Sequence, residues 1–218
     1  MCGIIGGIAQ RDITPILVEG LKRLEYRGYD SAGLAVLESA HKDPEIHCVR
    51  VCGKVNDLAQ TLNQSPILGS LGIAQTRWAT HGKPSTENAH PQMSGDDLAL
   101  VHNGIIDNYE ELKEELKSKG VIFKSQTDTE VIVHLIHLYM NEYDFLEAVQ
   151  KALVRLTGSF ALAIMSKHSP DRLIVARKGS PLLIGLGIGE NFVASDMLAL
   201  FAVTQQFVML EEGDVAIL

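Results

Sequence analysis

A cysteine at position 2 carries more chemical consequence than any other residue of this sequence. Removal of the initiator methionine would leave a thiol and a free α-amino group on one residue. An ordinary α-amine titrates near pH ~7.7–8.0, so close to neutrality much of it can take up a proton, whereas an ordinary thiol near ~8.5 is only slightly ionised. An adjacent amine is therefore a natural activator for such a nucleophile. The plainer use of Cys2 is as a small residue opening a strand. The segment TRWATHG (76–82) packs Arg77, Trp78, Thr80 and His81 into one short stretch. A guanidinium fork suits a carboxylate, and Thr and His add neutral donors beside it. That combination reads as an anion site, or else as a surface arginine with a capping histidine. In HNGII (102–106) the Asn103 amide stands beside the Gly104 backbone N–H. Two such donors meet the requirement of an oxyanion hole for a tetrahedral intermediate. Asn-Gly is also a common tight turn.

Other constellations offer less. Cys48 and Cys52 flank VRV in a strand-like run beside His47. Their spacing would put both thiols on one sheet face but about 13 Å apart, too far for a single metal ion. Glu130, His134 and His137 fall on one helical face without an obvious fourth ligand. The glycines of GLGIG (185–189) are followed by no helical pattern, so a phosphate cradle is not expected there. Neither a metal nor an organic cofactor is expected.

These residues need elements to hold them. Residues 3–8, 33–37, 46–52, 71–77 and 98–103 read as strands, as do 159–166, 172–177, 182–187, 191–195, 207–210 and 214–217. Thr14 with Pro15 opens a helix through Leu17, Leu21 and Leu24 that should stop near Gly28. Asn108 with Glu111 opens a second, which runs through Leu112 and Leu116 to Gly120. Thr127 with Glu130 forms a capping box for a third, and a fourth spans Asp144 to Gly158. Many strands with grouped helices argue against a strict βα alternation. An α+β layered sandwich with more than one sheet is the expected fold class, in one domain over 1–218.

Composition bounds the function. Of the 218 residues 46% are apolar and 21% charged, values that suit a folded domain with a sizeable core. The formal charge is −8 and no cluster of Lys or Arg interrupts it, so neither nucleic acid nor an anionic membrane is an expected partner. No apolar stretch approaches the roughly 20 residues of a spanning helix, and the start MCGIIGGIAQ lacks the layout of a signal peptide. Three cysteines without an export signal suggest reduced thiols in the cytoplasm.

Read together, MCGIIG (1–6), LKRLEYRGYDSAG (21–33), TRWATHGKPS (76–85), NAHP (88–91) and VHNGIIDN (101–108) resemble the glutaminase domain of the class II, N-terminal-nucleophile glutamine amidotransferases. TDTE (127–130), GSPLLIGLG (179–187), ASDMLAL (194–200) and LEEGD (210–214) extend the resemblance over nearly the whole chain. EYRGYDSAG with RWATHG is similar to the branch that aminates fructose 6-phosphate in particular.

The resemblance implies a four-layer αββα sandwich and L-glutamine as substrate. It implies Cys2 as nucleophile with its own α-amine as base, and Asn103 and Gly104 as oxyanion donors. Arg77 would pair with the substrate α-carboxylate, supported by Thr80 and His81, and Asp128 with its ammonium. Arg27 would stand beside the nucleophile, and Trp78 would gate an ammonia route to a second active site. No cofactor is implied. The family's synthase half, two sugar-isomerase domains that bind fructose 6-phosphate, has no counterpart before Leu218, and the longer form is expected to be a homo-oligomer. Two other readings fit parts of the pattern. A glutamine-sensing module would keep Arg77 and Asp128 without needing an N-terminal Cys2. Another N-terminal-nucleophile amidohydrolase would not need both charge readers.

Overall fold

In the computed structural model, residues 2–38, 43–78 and 82–218 are described. Strand β1 (Gly3–Ile8) shows why the fold has layers: Ile4 and Ile5 are both fully buried although they point to opposite faces. Ile4 belongs to the apolar layer between two sheets, and Ile5 to the layer between its sheet and a pair of helices. A strand covered on both faces has no need of polar alternation, which explains the near-continuous apolar runs in the sequence.

The first sheet also contains β2 (Ser31–Glu38), β3 (Glu45–Val51), β4 (Leu71–Arg77), β9 (Leu183–Leu186), β10 (Asn191–Ala194) and β11 (Gln206–Met209). Its order is β11-β9-β10-β1-β4-β2-β3. The second runs β12-β8-β7-β6-β5, from β5 (Gln92–Ser94), β6 (Leu98–Ile106), β7 (Gly158–Ser166), β8 (Leu173–Lys178) and β12 (Val215–Ile217). Every pairing is antiparallel.

Two helices, α1 (Thr14–Leu24) and α2 (Val55–Gln64), cover the outer face of the first sheet. Leu17, Leu21 and Leu24 of α1 are completely buried there, each contributing about 1.5–3 kcal/mol. Three more, α3 (Tyr109–Ser118), α4 (Thr129–Tyr139) and α5 (Phe145–Arg155), cover the second sheet. The layers are thus helix, sheet, sheet, helix, the αββα sandwich that the resemblance implied.

Local differences from the sequence reading have identifiable causes. Thr14 lies inside α1; its hydroxyl donates to Ile67 O at 3.0 Å, and Asp12 Oδ1 accepts its N–H at 3.1 Å. The helix tightens into a 3₁₀ turn over Glu25–Arg27 and ends at Gly28, whose φ of 75° suits glycine. Asn108 precedes α3, but its side chain clasps Arg155 O and Thr157 N–H instead of capping. Helix α4, expected from Thr127, starts at Thr129, two residues later. Thr127 Oγ1 does accept the Glu130 N–H at 3.3 Å, while the Glu130 carboxylate turns back to the N–H groups of Lys124 and Ser125, both at 2.7 Å. Helix α2 and the short β5 were not anticipated.

Gly33 of β2 marks a tight approach beside the site. A Cβ there would strike the backbone oxygen of His90 and lie 2.8 Å from Val49 O. Neither neighbour is the movable end of a side chain. Gly33→Ala should destabilise the protein by about 1–3 kcal/mol in a denaturant titration, the usual range for overpacking.

Candidate active site

The two sheets meet at the start of β1 and the end of β4, opposite the middle of β6. Cys2 precedes β1, Arg77 ends β4, and Asn103 and Gly104 lie in β6. Asp128 stands at the start of α4, and Arg27 closes the 3₁₀ turn after α1. These elements enclose a cavity of about 370 Å³ lined by Cys2, Arg27, Arg77, Trp78, Asn103, Gly104 and Asp128. Seven of the residues singled out in the sequence therefore share one wall. Thr80 and His81 lie outside the described residues.

The Cys2 sulfur accepts the Trp78 N–H at 3.2 Å. Burial pushes the thiol above its ordinary range, and the Trp78 backbone offsets this only in part. At neutral pH Cys2 is thus held as a thiol that needs a base. The Asn103 side-chain NH₂ donates to Cys2 O at 3.2 Å, which aims that amide at the nucleophile's own residue. Gly104 has φ 141°, and a Cβ on it would collide with the Ser159 backbone. Only glycine leaves this N–H presented beside Asn103.

Charge is concentrated around the cavity. Arg77 is 3% exposed and Asp128 4% exposed. Burial lowers the Arg77 pKa from its very high ordinary value, opposed by the acidic groups at Asp30, Cys2 and Asp128. Arg77 Nη2 reaches Gly82 O at 3.5 Å, and Asp128 Oδ2 accepts the Ile106 N–H at 2.9 Å. The Asp128 carboxylate is therefore pinned to the strand that carries the Asn-Gly pair. Arg27 Nη1 contacts Ser195 Oγ at 3.4 Å, and the same oxygen accepts the Ile4 N–H at 3.0 Å. Trp78 is half exposed at the rim, with its ring over Gly28: a Cβ there would meet Trp78 Cζ3 at 2.9 Å.

Among the other residues that line the cavity, His90, His102 and Thr129 form a hydrogen-bonded cluster. Thr129 Oγ1 lies 2.9 Å from both His90 Nε2 and His102 Nδ1. A hydroxyl has one proton and two acceptor sites, so at most one ring accepts from it and at least one donates to it. His90 is held well below its ordinary pKa, first by burial and then by the positive field of Arg77. It is neutral. Both histidines fall in the NAHP and VHN segments, where spacing alone gave no role.

The residues weighed for metal have other duties. Ser94 Oγ sits 2.8 Å from His134 Nδ1 and 2.7 Å from His137 Nδ1, while Glu130 approaches His134 Nε2 at 3.4 Å. Cys48 is partly buried, desolvation pushes its thiol up to about 11, and Cys52 lies beyond the end of β3. Among the described residues no three ligating side chains converge.

Comparison with known proteins finds similarity over nearly the whole chain. Residues 76–202 match the family model of the glutamine amidotransferase domain. The chain is 59% identical to the isomerising glutamine–fructose-6-phosphate aminotransferase of Pseudomonas putida over 217 residues, and 57% identical to that of Haemophilus influenzae. Each alignment covers 99% of this chain but 35% of the relative, so the chain spans about a third of the relatives' length. Among solved structures, the glutamine phosphoribosylpyrophosphate amidotransferase of B. subtilis superposes with a TM-score of 0.84 at 28% identity, covering 99% of this chain and 47% of that one. A class-II glutamine aminotransferase domain protein from Silicibacter pomeroyi shares the fold, with a TM-score of 0.63 at 16% identity, covering 100% of this chain and 94% of that one.

The buried neutral His90 makes acid stability a test of this packing. In the unfolded chain a histidine titrates near pH ~6.5. Above that value His90 is neutral in both states; below it, unfolding takes up a proton that the folded site excludes. Its contribution is intact above pH ~6.5 and falls by up to about 1.4 kcal/mol per pH unit below it. His90→Gln should flatten the decline between pH ~7.5 and ~5, measured by urea unfolding at both values.

Proposed function

We propose, from the premise that this chain belongs to the glutamine amidotransferase domain family, that it hydrolyses the side-chain amide of L-glutamine to glutamate and ammonia. The observation that carries this reading is the pairing of a buried cation, Arg77, with a buried anion, Asp128, on a cavity that also holds a thiol and two amide donors. A free amino acid carries both charges, and an amide at the far end of its side chain could then lie against Cys2. Few other small amides present both an α-carboxylate and an α-ammonium.

The reaction follows from these parts. With Met1 removed, the α-amine of Cys2 takes the thiol proton as sulfur attacks the amide carbon. Asn103 Nδ2 and the Gly104 N–H receive the oxyanion. The proton passes to the departing nitrogen, which leaves as ammonia, and a γ-glutamyl thioester remains on Cys2. Water, deprotonated by the same amine, hydrolyses the thioester, so the thiol is regenerated and glutamate is released. Arg27 contributes positive charge beside the nucleophile, and Thr80 and His81 support the carboxylate side.

In this reading residues 1–218 form one glutaminase domain of a longer polypeptide. The high identity to the aminotransferases supports a synthase half as partner, which would use the ammonia to make glucosamine 6-phosphate from fructose 6-phosphate. Trp78 at the rim would gate the ammonia's path. The three reduced cysteines suit a cytoplasmic setting.

The first test is ammonia release from glutamine set against asparagine and simple amides. Selective release from glutamine is expected, and release from none of them would refute the reading. Arg77→Ala should raise KM for glutamine by about 10- to 150-fold, the worth of a charge-assisted contact, and Asp128→Asn should do comparable harm. Wild-type KM in both variants would remove these two assignments. An uncleavable N-terminal extension should lower kcat by about 10²–10⁴-fold while glutamine still binds, because an amide nitrogen cannot replace the amine. Intact-mass analysis paired with the same assay checks this: full turnover by a chain retaining Met1 would exclude the α-amine as base.

A further inference from the structure

Gln75 does not line the cavity, yet it is the completely buried residue that joins the two sheets behind it. It belongs to β4, two residues before Arg77, and its side chain crosses to β6. Its Nε2 donates to His102 O at 2.6 Å and to Asn103 Oδ1 at 2.8 Å, while the His102 N–H points to its Oε1 at 3.4 Å.

This arrangement permits one orientation. Turning the Gln75 amide over would set its oxygen against two acceptor oxygens and its NH₂ against the His102 N–H, three mismatches in a site without water access. With Gln75 fixed, Asn103 is fixed in turn. Turning the Asn103 amide over would set its NH₂ against the Gln75 NH₂ and its oxygen against Cys2 O, losing the 3.2 Å bond that Asn103 Nδ2 now makes. The sense of the Asn103 amide decides whether an oxyanion forming at Cys2 meets a donor or an acceptor.

We propose that Gln75 is a positioning residue for the amidotransferase reaction, keeping the NH₂ of Asn103 turned toward the nucleophile through a directed chain of hydrogen bonds from one sheet to the other. The proposal rests on the oxyanion role given above to Asn103. Gln75 contacts no substrate and acts only through that amide.

A double-mutant cycle in glutamine hydrolysis tests it. Gln75→Met keeps the length of the side chain and removes both donors. It should lower kcat by about 10²-fold, toward the cost of losing one oxyanion donor, with KM within about threefold of wild type. In the Asn103→Ala background the same change should have almost no further effect, because the amide it orients is gone. An equal loss in both backgrounds, or an unchanged kcat in Gln75→Met, would overturn the positioning role. Wild-type kcat in Asn103→Ala would instead locate the fault in the oxyanion assignment. A readout independent of turnover and of variant folding is the Asn103 side-chain amide in wild-type ¹⁵N-labelled protein. Its NH₂ protons should show nuclear Overhauser effects to Cys2 and Gly3, and effects placing them against the Gln75 NH₂ would refute the orientation.

Discussion

The double pairing of β1 carries the site. A chain terminus ordinarily frays, yet β1 is hydrogen-bonded on one edge to β10 and on the other to β4. Its register with β4 runs from Gly3 opposite Thr76 to Ile8 opposite Leu71, so Cys2 is delivered beside Arg77 and Trp78 by backbone pairing alone. Two side chains reinforce the last step: Thr76 Oγ1 accepts the Gly3 N–H at 3.1 Å, and Ser195 Oγ accepts that of Ile4. Glycine at positions 3, 6 and 7 lets neighbouring layers press close, since a Cβ on any of them would fall within 3.1 Å of another atom. The nucleophile is thereby held by a strand paired on both edges.

The second constraint is electrostatic. Arg77 and Asp128 are buried on one cavity but in different elements, one at a strand end and the other at a helix start. Buried charge is costly unless it is paired or solvated by fixed dipoles. Asp128 draws on the Ile106 N–H, and Glu130, two residues on, draws on two further backbone donors. The acidic start of α4 is thus tied to its surroundings on both sides. A zwitterionic ligand fits such a wall better than an ion of either sign, because each of its charges meets its opposite.

Much of this was legible in the sequence where one physical rule dominated. The strand at 71–77 is bounded as read, its apolar start at Leu71, Ile73 and Ala74 giving way to the buried polar residues Gln75, Thr76 and Arg77. Helix α5 also begins as read, with Asp144 Oδ1 accepting the Glu147 N–H at 2.9 Å. Helix α2 escaped notice although Val55, Leu58 and Leu62 carry its apolar stripe, since the segment is short, polar and free of a Ser or Thr cap. Asn108 and Thr14 misled for a shared reason: a side chain that can cap a helix can also bond a distant loop, and tertiary contacts decided. Residue chemistry offered Cys2 as a nucleophile and Arg77 as a carboxylate reader beside plainer uses; resemblance favoured those readings and alone implied a role for Asp128. Gln75 was invisible because a buried glutamine in a strand has no local signature; its meaning exists only across two sheets.

Trp78 adds one last property. It is the sole tryptophan of the sequence, its backbone N–H is bonded to the Cys2 sulfur, and its half-exposed ring overlies Gly28 at the cavity rim. Indole emission responds to hydration and to nearby polarisable sulfur. The entire long-wavelength fluorescence of these residues therefore originates within one hydrogen bond of the nucleophile. Alkylation of Cys2, or the arrival of a ligand that dries the rim, is thus written directly into the spectrum without any attached dye.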